Sequence, residues 1–497
     1  MRDRLWRVYS FTLLAAMILA IPAILNGGPL WYWDTEGYIS RPATVLYNIA
    51  PDLFDTHWVD QHRVSEWSAA GSDSAGARAP VQQWNAGRSI YWGTIAYGFL
   101  LLFGEWGFVM MNALLAGAVL SIAWFRCLDK LPASLFPPFV AVLTFLTPLG
   151  ATVAFAMPDL LSALLIISLA LLATCWRRLL TVDRVVLAGI ACLAALSHDS
   201  HLAIAAMLLP LCLLAAFFIK DRPARIMSQA VVLALPLLAG IAGGAIFSMV
   251  AEARTGNPPL RLPHLSAHVT SLQSGQRYLA EHCDAAEFVI CRYADRLPVH
   301  WIDFLFDKSP DTGVFGAAEP SVKRQISDEQ IRFMLAVAQK YPASLALELS
   351  RDGLWQLVAF DTRDMNPRAQ EPYMRAEFPA GVYTSAREST LWQRPELIAA
   401  LDWTTTATSL MFAGLIAGAL FLHSSRAFPL SEQMLFLGGL IVLGLIANAI
   451  VCGVLASPLG RFQARVIWLV PFLGFPFTAM ILQGWVARKE NNHVFYE

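Results

Sequence analysis

The sequence predicts an all-α polytopic membrane protein with about 10–11 transmembrane helices. Of its 497 residues, 56% are hydrophobic and only 15% are charged, and the mean hydropathy is +0.51. Because a typical globular chain is about one quarter charged, this composition excludes a soluble enzyme and a disordered regulator. The 36 Lys and Arg residues balance the 37 Asp and Glu residues. Such a balance gives no long-range attraction to polyanions, which excludes a nucleic-acid partner.

The apolar runs of the chain are the candidate membrane spans. A bilayer core about 30 Å thick requires about 20 helical residues to cross it. The runs near this length are residues 10–25, 90–103, 106–125, 135–156, 160–176, 185–196, 202–219, 227–250, 404–422, 434–455 and 462–485. Three arginines precede the first run and no small-residue cleavage site follows it. We therefore expect this run to be retained as a signal anchor.

Positive residues orient these runs, since Lys and Arg concentrate on the cytoplasmic side of a membrane. Arg7, Arg126, Arg184, Arg426 and Arg488 lie at ends that we place in the cytoplasm. Both termini are then cytoplasmic, which requires an even number of crossings, although the runs number eleven. The conflict lies between residues 90 and 156. One run there is expected to be short, re-entrant or interfacial.

The polar stretches divide the chain into three parts. Residues 1–250 form an N-terminal transmembrane module with a first outer loop at 26–88, residues 251–403 form an extracytoplasmic loop domain of mainly α or mixed structure, and residues 404–497 are C-terminal transmembrane helices. Residues 69–79 are small and polar and are typical of a turn. The tryptophans of the first loop suit the membrane–water interface: Trp31, Trp33, Trp58, Trp67 and Trp84.

The loop domain carries one helix signal and one cysteine pair. Ser327 begins a capping box before an apolar helical face at residues 331–349, and Pro342 should kink or divide that helix. Cys283 and Cys291 lie eight positions apart and predict a disulfide in an oxidising compartment, with a metal site as the weaker alternative. The other five cysteines lie in or beside apolar runs and are expected to be small buried residues.

A pair of carboxylates follows the first apolar run directly. Asp34 and Glu36 lie two positions apart in an aromatic stretch that ends at Tyr38. Two such carboxylates are able to bind a divalent cation such as Mg²⁺ or Mn²⁺, or one of them is able to act as a general base. The alternative is a solvated loop with interfacial aromatic residues.

Two further polar clusters precede apolar runs on the same outer side. Asp159 is either a functional acid or an acid that the helix dipole favours at a helix start. His198 and His201 are spaced to share one helical face and suit a metal ion or a phosphate. Asp199 either belongs to the same pocket or caps the following helix.

Arginines complete the set of candidate residues. Arg461 and Arg465 lie one helical turn apart before the last run and form a two-pronged anion site, and Arg88 could add to it. The alternative is snorkelling of the arginines to lipid headgroups. Acids, histidines and arginines from four separate segments are thus predicted on one face of the membrane, where ionisable groups are functional candidates.

The order of these features over roughly residues 1–178 resembles the GT-C superfamily of integral-membrane glycosyltransferases, in particular the aminoarabinose and protein-mannose transferases. The features that carry the resemblance are the first span, the acidic motif Asp34-Thr35-Glu36, the stretch from Gly87 to Trp92, the helix that ends at Gly104 and Glu105, the apolar run with Asn112, and Met157-Pro158-Asp159 before the next helix. The acidic motif departs from the adjacent Asp-Glu pair of those two families.

The resemblance implies an enzyme that transfers a sugar from a polyprenyl-phosphate donor to a glycan, lipid or protein acceptor. The active face would be the periplasmic face of the bacterial inner membrane. Asp34 would be the general base or a metal ligand. Arg461 and Arg465 would hold the departing lipid phosphate, where negative charge develops.

Other functions stay open on the sequence. A transporter or lipid flippase would place polar groups at the midplane of broken helices and would often show an internal repeat, and the sequence shows no such repeat. Another lipid-dependent membrane transferase, of acyl or phosphoethanolamine groups, is consistent with His198 and His201. The last alternative is a non-catalytic scaffold that uses the loop domain as its interaction surface.

Overall fold

The structure is a computed structural model that describes residues 2–59, 84–128, 130–219, 223–283 and 288–493. Within these ranges all regular secondary structure is helical, and two isolated β-bridges join Leu30 to Phe155 and Asn85 to Leu260. Seven of the described helices are long and apolar enough to cross a membrane, and shorter apolar helices accompany them. The predicted all-α membrane class is therefore confirmed.

The helices follow the predicted apolar runs closely. In the first half of the chain they are α1 Arg2–Asn26, α2 Trp33–Ile49, α3 Pro51–Phe54, α4 Ile90–Phe103, α5 Trp106–Ile122, α6 Phe136–Phe145, α7 Leu149–Ala154, α8 Leu160–Thr174, α9 Thr181–Ser197, α10 Asp199–Phe218 and α11 Pro223–Thr255. In the second half they are α12 His264–Ser271, α13 Gln273–His282, α14 Trp301–Phe306, α15 Pro320–Lys340, α16 Pro342–Val358, α17 Glu371–Glu377, α18 Ala380–Glu388, α19 Thr390–Gln393, α20 Glu396–Ser424, α21 Glu432–Val454, α22 Gly460–Ile467 and α23 Leu469–His493.

Contacts between helix ends define two ends of the helical bundle. At one end the guanidinium of Arg7, in α1, lies 5.8 Å from the ring centroid of Phe125, which follows α5. At the other end Ser385 lies beside Gly28 and donates a 3.0 Å hydrogen bond to Glu105. Helices α1 and α5 are therefore antiparallel. We name the end with Glu105 the site end and the end with Arg7 the far end.

Helix α4 begins and ends at the site end of the bundle. Ser89, just before α4, donates a 2.6 Å hydrogen bond to the carbonyl of Leu196 at the end of α9, and Glu105 follows its last residues. With 14 residues, it is about 21 Å long and belongs to the shorter apolar helices of the described residues. It is therefore a run between residues 90 and 156 that does not pass from one end of the bundle to the other.

The run predicted at residues 135–156 is two helices rather than one. Helix α6 ends at Phe145 and α7 begins at Leu149, because Pro148 lacks the N–H that a continuous helix needs. The hydroxyl of Thr147 accepts a 3.2 Å hydrogen bond from the Leu149 amide and so starts the second helix. The interruption turns the chain toward Asp159 at the site end.

Two of the five tryptophans of the first outer loop lie in the protein interior instead of at the predicted interface. Trp31 and Trp58 are buried, and their ring centroids lie 5.9 Å apart. Phe378 packs edge-on against both rings. Burial against one another stabilises these rings more than a position at the membrane surface would, because each ring removes about 150–250 Å² from solvent. Trp67 and the predicted turn at 69–79 lie outside the described residues.

The second outer loop belongs to two hydrophobic cores. Its first part has a core of its own, which extends from Leu260 to Leu345. Its second part, from Met365 to Trp392, packs into the core of the helical bundle. The predicted division by Pro342 is confirmed, since α15 ends at Lys340 and α16 starts at Pro342.

The capping box predicted at Ser327 is wrong. Helix α15 begins at Pro320, so Ser327 lies inside it and its hydroxyl donates to the carbonyl of Arg261. Glu329 accepts hydrogen bonds of 2.8 Å from the amides of Val289 and Ile290. These side chains tie α15 to neighbouring segments instead of starting a helix.

The cysteines form two disulfides. Cys283 and Cys291 are bonded, with Cα atoms 5.4 Å apart. Cys127 and Cys175 form a second disulfide, although both were expected to be small buried thiols. The sequence did not indicate this pair, because the two cysteines are 48 positions apart and come together only where α5 and α8 end at the far end.

Candidate active site

Charged residues from four segments line one small cavity at the site end. Its volume is about 30 Å³, and its lining consists of Asp34, Tyr38, Met157, Pro158, Asp159, His198, His201, Arg461, Phe462 and Arg465. The structure thus brings together seven of the residues that the sequence singles out. A larger cavity of about 630 Å³ lies elsewhere on the same end, between Gly27 and Glu388, and contains none of these charged groups.

Backbone pairing brings the two acidic segments together. The amide of Leu30 donates a 2.8 Å hydrogen bond to the carbonyl of Ala154, and the amide of Ala156 donates back to Leu30 at 2.9 Å. The hydroxyl of Thr35 adds a 3.0 Å bond to the Ala156 carbonyl. These bonds fix the first turn of α2, which carries Asp34, beside the chain that leads into Asp159.

Arg88 holds Asp34 through a direct ion pair between the guanidinium and the carboxylate. Arg88 does not line the cavity itself. Burial lowers the pKa of Arg88, but the nearby Asp34 carboxylate raises it by more, so the net shift of the pKa is upward. Burial also raises the pKa of Tyr38, whose ring packs edge-on against Trp92 at 5.0 Å. Asp34 therefore enters the cavity as a carboxylate with a fixed counter-ion.

Arg461 faces Asp159 across a longer gap. The Nε of Arg461 lies 3.7 Å from the carboxylate of Asp159, and both side chains are less than 10% exposed. The guanidinium carbon lies 4.1 Å from the centre of the Tyr32 ring. Among the described residues, the Nε and Nη1 groups of Arg461 and one oxygen of Asp159 have no hydrogen-bond partner. The cavity therefore contains cationic N–H donors that are free to bind an anion.

Arg465 is held by neutral groups. Its Nη2 donates to Asn448 at 2.9 Å and to the hydroxyl of Ser200 at 3.2 Å, and the sulfur of Cys452 lies at 3.2 Å. Asn448 in turn donates to the carbonyl of Phe462 at 2.7 Å. The side chain of Arg465 is thus oriented without a carboxylate, so its full positive charge acts on the cavity.

The two histidines differ in their surroundings. His198 is exposed, and its Nδ1 accepts a 3.1 Å hydrogen bond from the backbone amide of Ser200. His201 is fully buried, and its Nδ1 lies 3.0 Å from the carbonyl of Ala194. The ring centroids lie 5.6 Å apart. The prediction that they share a helical face is wrong, because His198 precedes α10 in extended backbone.

Glu36 and Asp199 do not line the cavity. The sequence predicts an outer loop around Asp34, but helix α2 already starts at Trp33. Successive residues of a helix are rotated by about 100°, so Glu36 points away from Asp34. Asp199 is exposed in the first turn of α10, where the helix dipole stabilises an acidic side chain.

The residues present do not fit the Mg²⁺ or Mn²⁺ site that Asp34 and Glu36 suggested. Within the described ranges no group of three or more His, Cys, Asp or Glu side chains converges in a way that could hold a metal ion. The two carboxylates of the cavity face Arg88 and Arg461 instead of each other. A dication at either carboxylate would have to displace an arginine.

The loop domain holds the segment that carries the cavity arginines. Gln356, fully buried in α16, accepts a 2.8 Å bond from the Leu459 amide and donates a 3.0 Å bond to the Leu459 carbonyl. His268 donates from Nδ1 to the carbonyl of Val454 at 3.2 Å and pairs with Asp352 at 2.9 Å. Both contacts fix the turn between α21 and α22.

Sequence reasoning missed Tyr32, Asn448 and Gln356. Asn448 carries a visible signal, since it is a lone amide inside a long apolar run. Gln356 and Tyr32 carry none, because their partners lie about 100 or more positions away in the chain.

Comparisons of the chain with protein-family models, with curated proteins and with solved structures found no match.

Proposed function

We propose that the chain is a membrane glycosyltransferase of the GT-C type, which moves a sugar from a polyprenyl-phosphate donor to an acceptor at the site end. The observation that carries this proposal is that two buried groups of Arg461, Nε and Nη1, have no hydrogen-bond partner among the described residues and share a cavity with Arg465, Asp34 and Asp159. Unpaired buried N–H groups cost free energy, so a protein retains them where a ligand supplies the partner.

The chemistry of the cavity suits a phosphate next to a sugar. Arg461 and Arg465 lie one helical turn apart on α22, and fixed cations stabilise the negative charge that develops on a leaving phosphate. The carboxylates of Asp34 and Asp159 supply acceptors for the hydroxyl groups of a sugar. The cavity opens at one end of the apolar bundle, so the hydrocarbon chain of a lipid donor would reach it from the membrane.

The size of the cavity adds a requirement. Ligand pockets usually measure about 300–1,000 Å³, whereas this cavity measures about 30 Å³. A sugar phosphate therefore enters only when the lining side chains move apart. Arg461 is suited to this movement, because a phosphate would replace the distant Asp159 as its partner and form the hydrogen bonds that the guanidinium lacks.

The positions of the charges support a transferase more than a transporter. The buried pair Asp159–Arg461 lies at the site end, and a second buried pair, Arg126–Asp183, lies near Phe125 at the far end. A transporter would place such groups on broken helices near the midplane. The interruption at Thr147 leads toward the site end instead.

The test measures transfer of radiolabelled sugar from a panel of polyprenyl-phosphate donors in membranes that contain the protein. Wild type should transfer label, and Arg461→Gln and Asp34→Asn should lose at least 100-fold of that activity, in line with the loss of one charge-stabilising group. Arg277→Gln is the matched control, because this arginine pairs with Glu281 on the exposed surface of the loop domain.

Elution volume and thermal stability in detergent show that each variant is folded. If wild type transfers no label from any donor of the panel, the proposed function is wrong. If Arg461→Gln transfers as well as wild type, the phosphate site lies elsewhere.

A further inference from the structure

His201 presents an unprotonated nitrogen to the cavity. Its Nδ1 lies 3.0 Å from the carbonyl oxygen of Ala194, and because a carbonyl only accepts hydrogen bonds, Nδ1 carries the proton. In the neutral ring Nε2 then carries a lone pair. This nitrogen is buried and has no hydrogen-bond partner in the part of the chain that the structure describes, and the His201 side chain lines the cavity.

The other acceptors of the cavity are less suited to receive a proton. Asp34 is paired with Arg88, and Asp159 faces Arg461. Each of these carboxylates therefore already has a cationic partner. His198 uses its Nδ1 to accept the amide of Ser200. Among the described lining residues, the Nε2 of His201 and one oxygen of Asp159 are buried acceptors without a donor, and of these two only the Asp159 carboxylate has an arginine beside it, Arg461 at 3.7 Å.

We propose that His201 is the general base that receives the proton of the acceptor hydroxyl. This inference rests on the proposed function, and it replaces Asp34 in the role that the family resemblance implies. The acceptor must therefore present an O–H group to Nε2 at hydrogen-bond distance. Asp34 then remains in the cavity as an ionised acceptor for the donor sugar.

The step balances in atoms and charge. The acceptor oxygen forms a bond with the anomeric carbon of the sugar, and the bond between that carbon and the phosphate oxygen breaks with its electron pair on the phosphate. The hydroxyl proton passes to Nε2. The phosphate gains one negative charge as the imidazole gains one positive charge, so the cavity keeps its net charge during the step. The Ala194 carbonyl accepts Nδ1–H throughout and stabilises the imidazolium.

Charged and basic groups surround the imidazole ring of His201. Arg465 on α22 and His198 before α10 are cationic or basic neighbours, and Asp34, Asp159 and Arg461 line the same cavity. The carbonyl of Ala194, on α9, is the direct partner. A bound lipid phosphate would neutralise part of the arginine charge near the ring.

The experiment compares His201→Gln, His201→Phe and the control His300→Gln, which changes an exposed histidine just before α14 in the loop domain. Each variant is assayed for binding of radiolabelled polyprenyl phosphate without a sugar, and for transfer from the active donor found in the panel. Glutamine keeps a hydrogen-bond acceptor near the position of Nε2 but takes up no proton. We expect both His201 variants to bind polyprenyl phosphate within about threefold of wild type and to lose about 10²–10⁴-fold in kcat. His300→Gln should keep both properties.

The pH profile separates a base from a structural histidine. The rate of wild type should fall on the acid side as His201 becomes protonated, and His201→Gln should lose this acid limb. Full transfer activity in His201→Gln would overturn the inference while the proposed function stands. Loss of transfer in this variant with an unchanged acid limb would also overturn it, as would loss of lipid binding in both His201 variants, because these results indicate a structural role. Absence of transfer in wild type would overturn the proposed function and this inference together.

Discussion

Replacement of Asp159 by asparagine should weaken the fold and strengthen the binding of lipid phosphate. Asp159 lies 3.7 Å from Arg461, and both side chains are nearly buried. At an effective dielectric constant of about 20, two unit charges at this distance attract with about 4 kcal/mol. Removal of one partner from a buried pair costs about 3–5 kcal/mol. The contact of Arg461 with the ring of Tyr32 is the same in wild type and variant and cancels in the difference, so the net loss of stability should be about 3–5 kcal/mol.

The same change removes a competitor of the ligand. A phosphate bound on the open side of Arg461 would lie roughly 7 Å from Asp159, where two like charges repel with about 2 kcal/mol at the same dielectric constant. The dissociation constant of Asp159→Asn for polyprenyl phosphate should therefore decrease about tenfold or more, since 1.4 kcal/mol corresponds to a factor of ten. Binding of the radiolabelled lipid in detergent and unfolding in the same detergent measure the two effects.

Asp183→Asn is the matched control for this prediction. Asp183 and Arg126 form the other buried pair of this kind, with a 2.6 Å bond at the far end of the bundle. Its loss should lower the unfolding free energy by a similar or larger amount and leave the affinity for polyprenyl phosphate unchanged. Weaker lipid binding in a folded Asp159→Asn protein would refute the reasoning, because Asp159 would then contact the ligand directly instead of competing with it.

Three further predictions concern packing, the loop domain and pH. Gly93→Ala should lower stability by about 1–3 kcal/mol, because the new Cβ would lie 2.1 Å from the Tyr38 carbonyl oxygen. Gly98→Ala should raise stability by up to about 1 kcal/mol, because its Cβ would meet nothing within 4 Å. Thermal unfolding of the two variants measures both effects. Gln356→Ala should cost about 2–5 kcal/mol, since it leaves the amide and carbonyl of Leu459 unpaired, and an unchanged unfolding free energy would contradict this account of the α21–α22 turn. Burial and the Arg88 cation lower the pKa of His264 to about 4. Below about pH 6.5, the ordinary pKa of histidine, the unfolded chain therefore binds a proton that the folded chain does not bind. The contribution of His264 to stability is complete above that pH and is lost toward pH 4 at up to about 1.4 kcal/mol per pH unit, and His264→Gln should remove this slope.

The positions of the bundle helices could be predicted because the bilayer imposes a local rule. A residue that faces lipid or a neighbouring helix has to be apolar, so the runs mark the helices within a few residues. The rule failed for α4, which satisfies it in composition but lies along one end of the bundle. The parity of the positive residues indicates that one run between residues 90 and 156 does not cross, but it does not identify the run. The capping box at Ser327 failed for a related reason, since a local pattern does not show where a longer helix already began.

The candidate site could be predicted as a set of residues but not as a set of contacts. Asp34, Asp159, His201 and Arg461 each follow or begin an apolar run, and the predicted topology places all four on one side of the membrane. Their partners lie far away in the chain. The pairing of Asp34 with Arg88 and of Gln356 with Leu459 joins residues 54 and 103 positions apart, and no spacing rule encodes such contacts.

The two buried ion pairs at opposite ends of the bundle differ in how completely their atoms are hydrogen-bonded. Arg126 and Asp183 are bonded at 2.6 Å, and Asp183 also accepts the amide of Leu180 at 2.8 Å, so the carboxylate at the far end has two donors. Arg461 and Asp159 are equally buried but lie 3.7 Å apart, and atoms of both lack partners within the described structure. If stability alone decided, Arg461 and Asp159 would also approach to hydrogen-bond distance, as Arg126 and Asp183 do. Gln356 of the loop domain holds Leu459, just before α22, and this anchor would keep Arg461 available to the ligand that we propose.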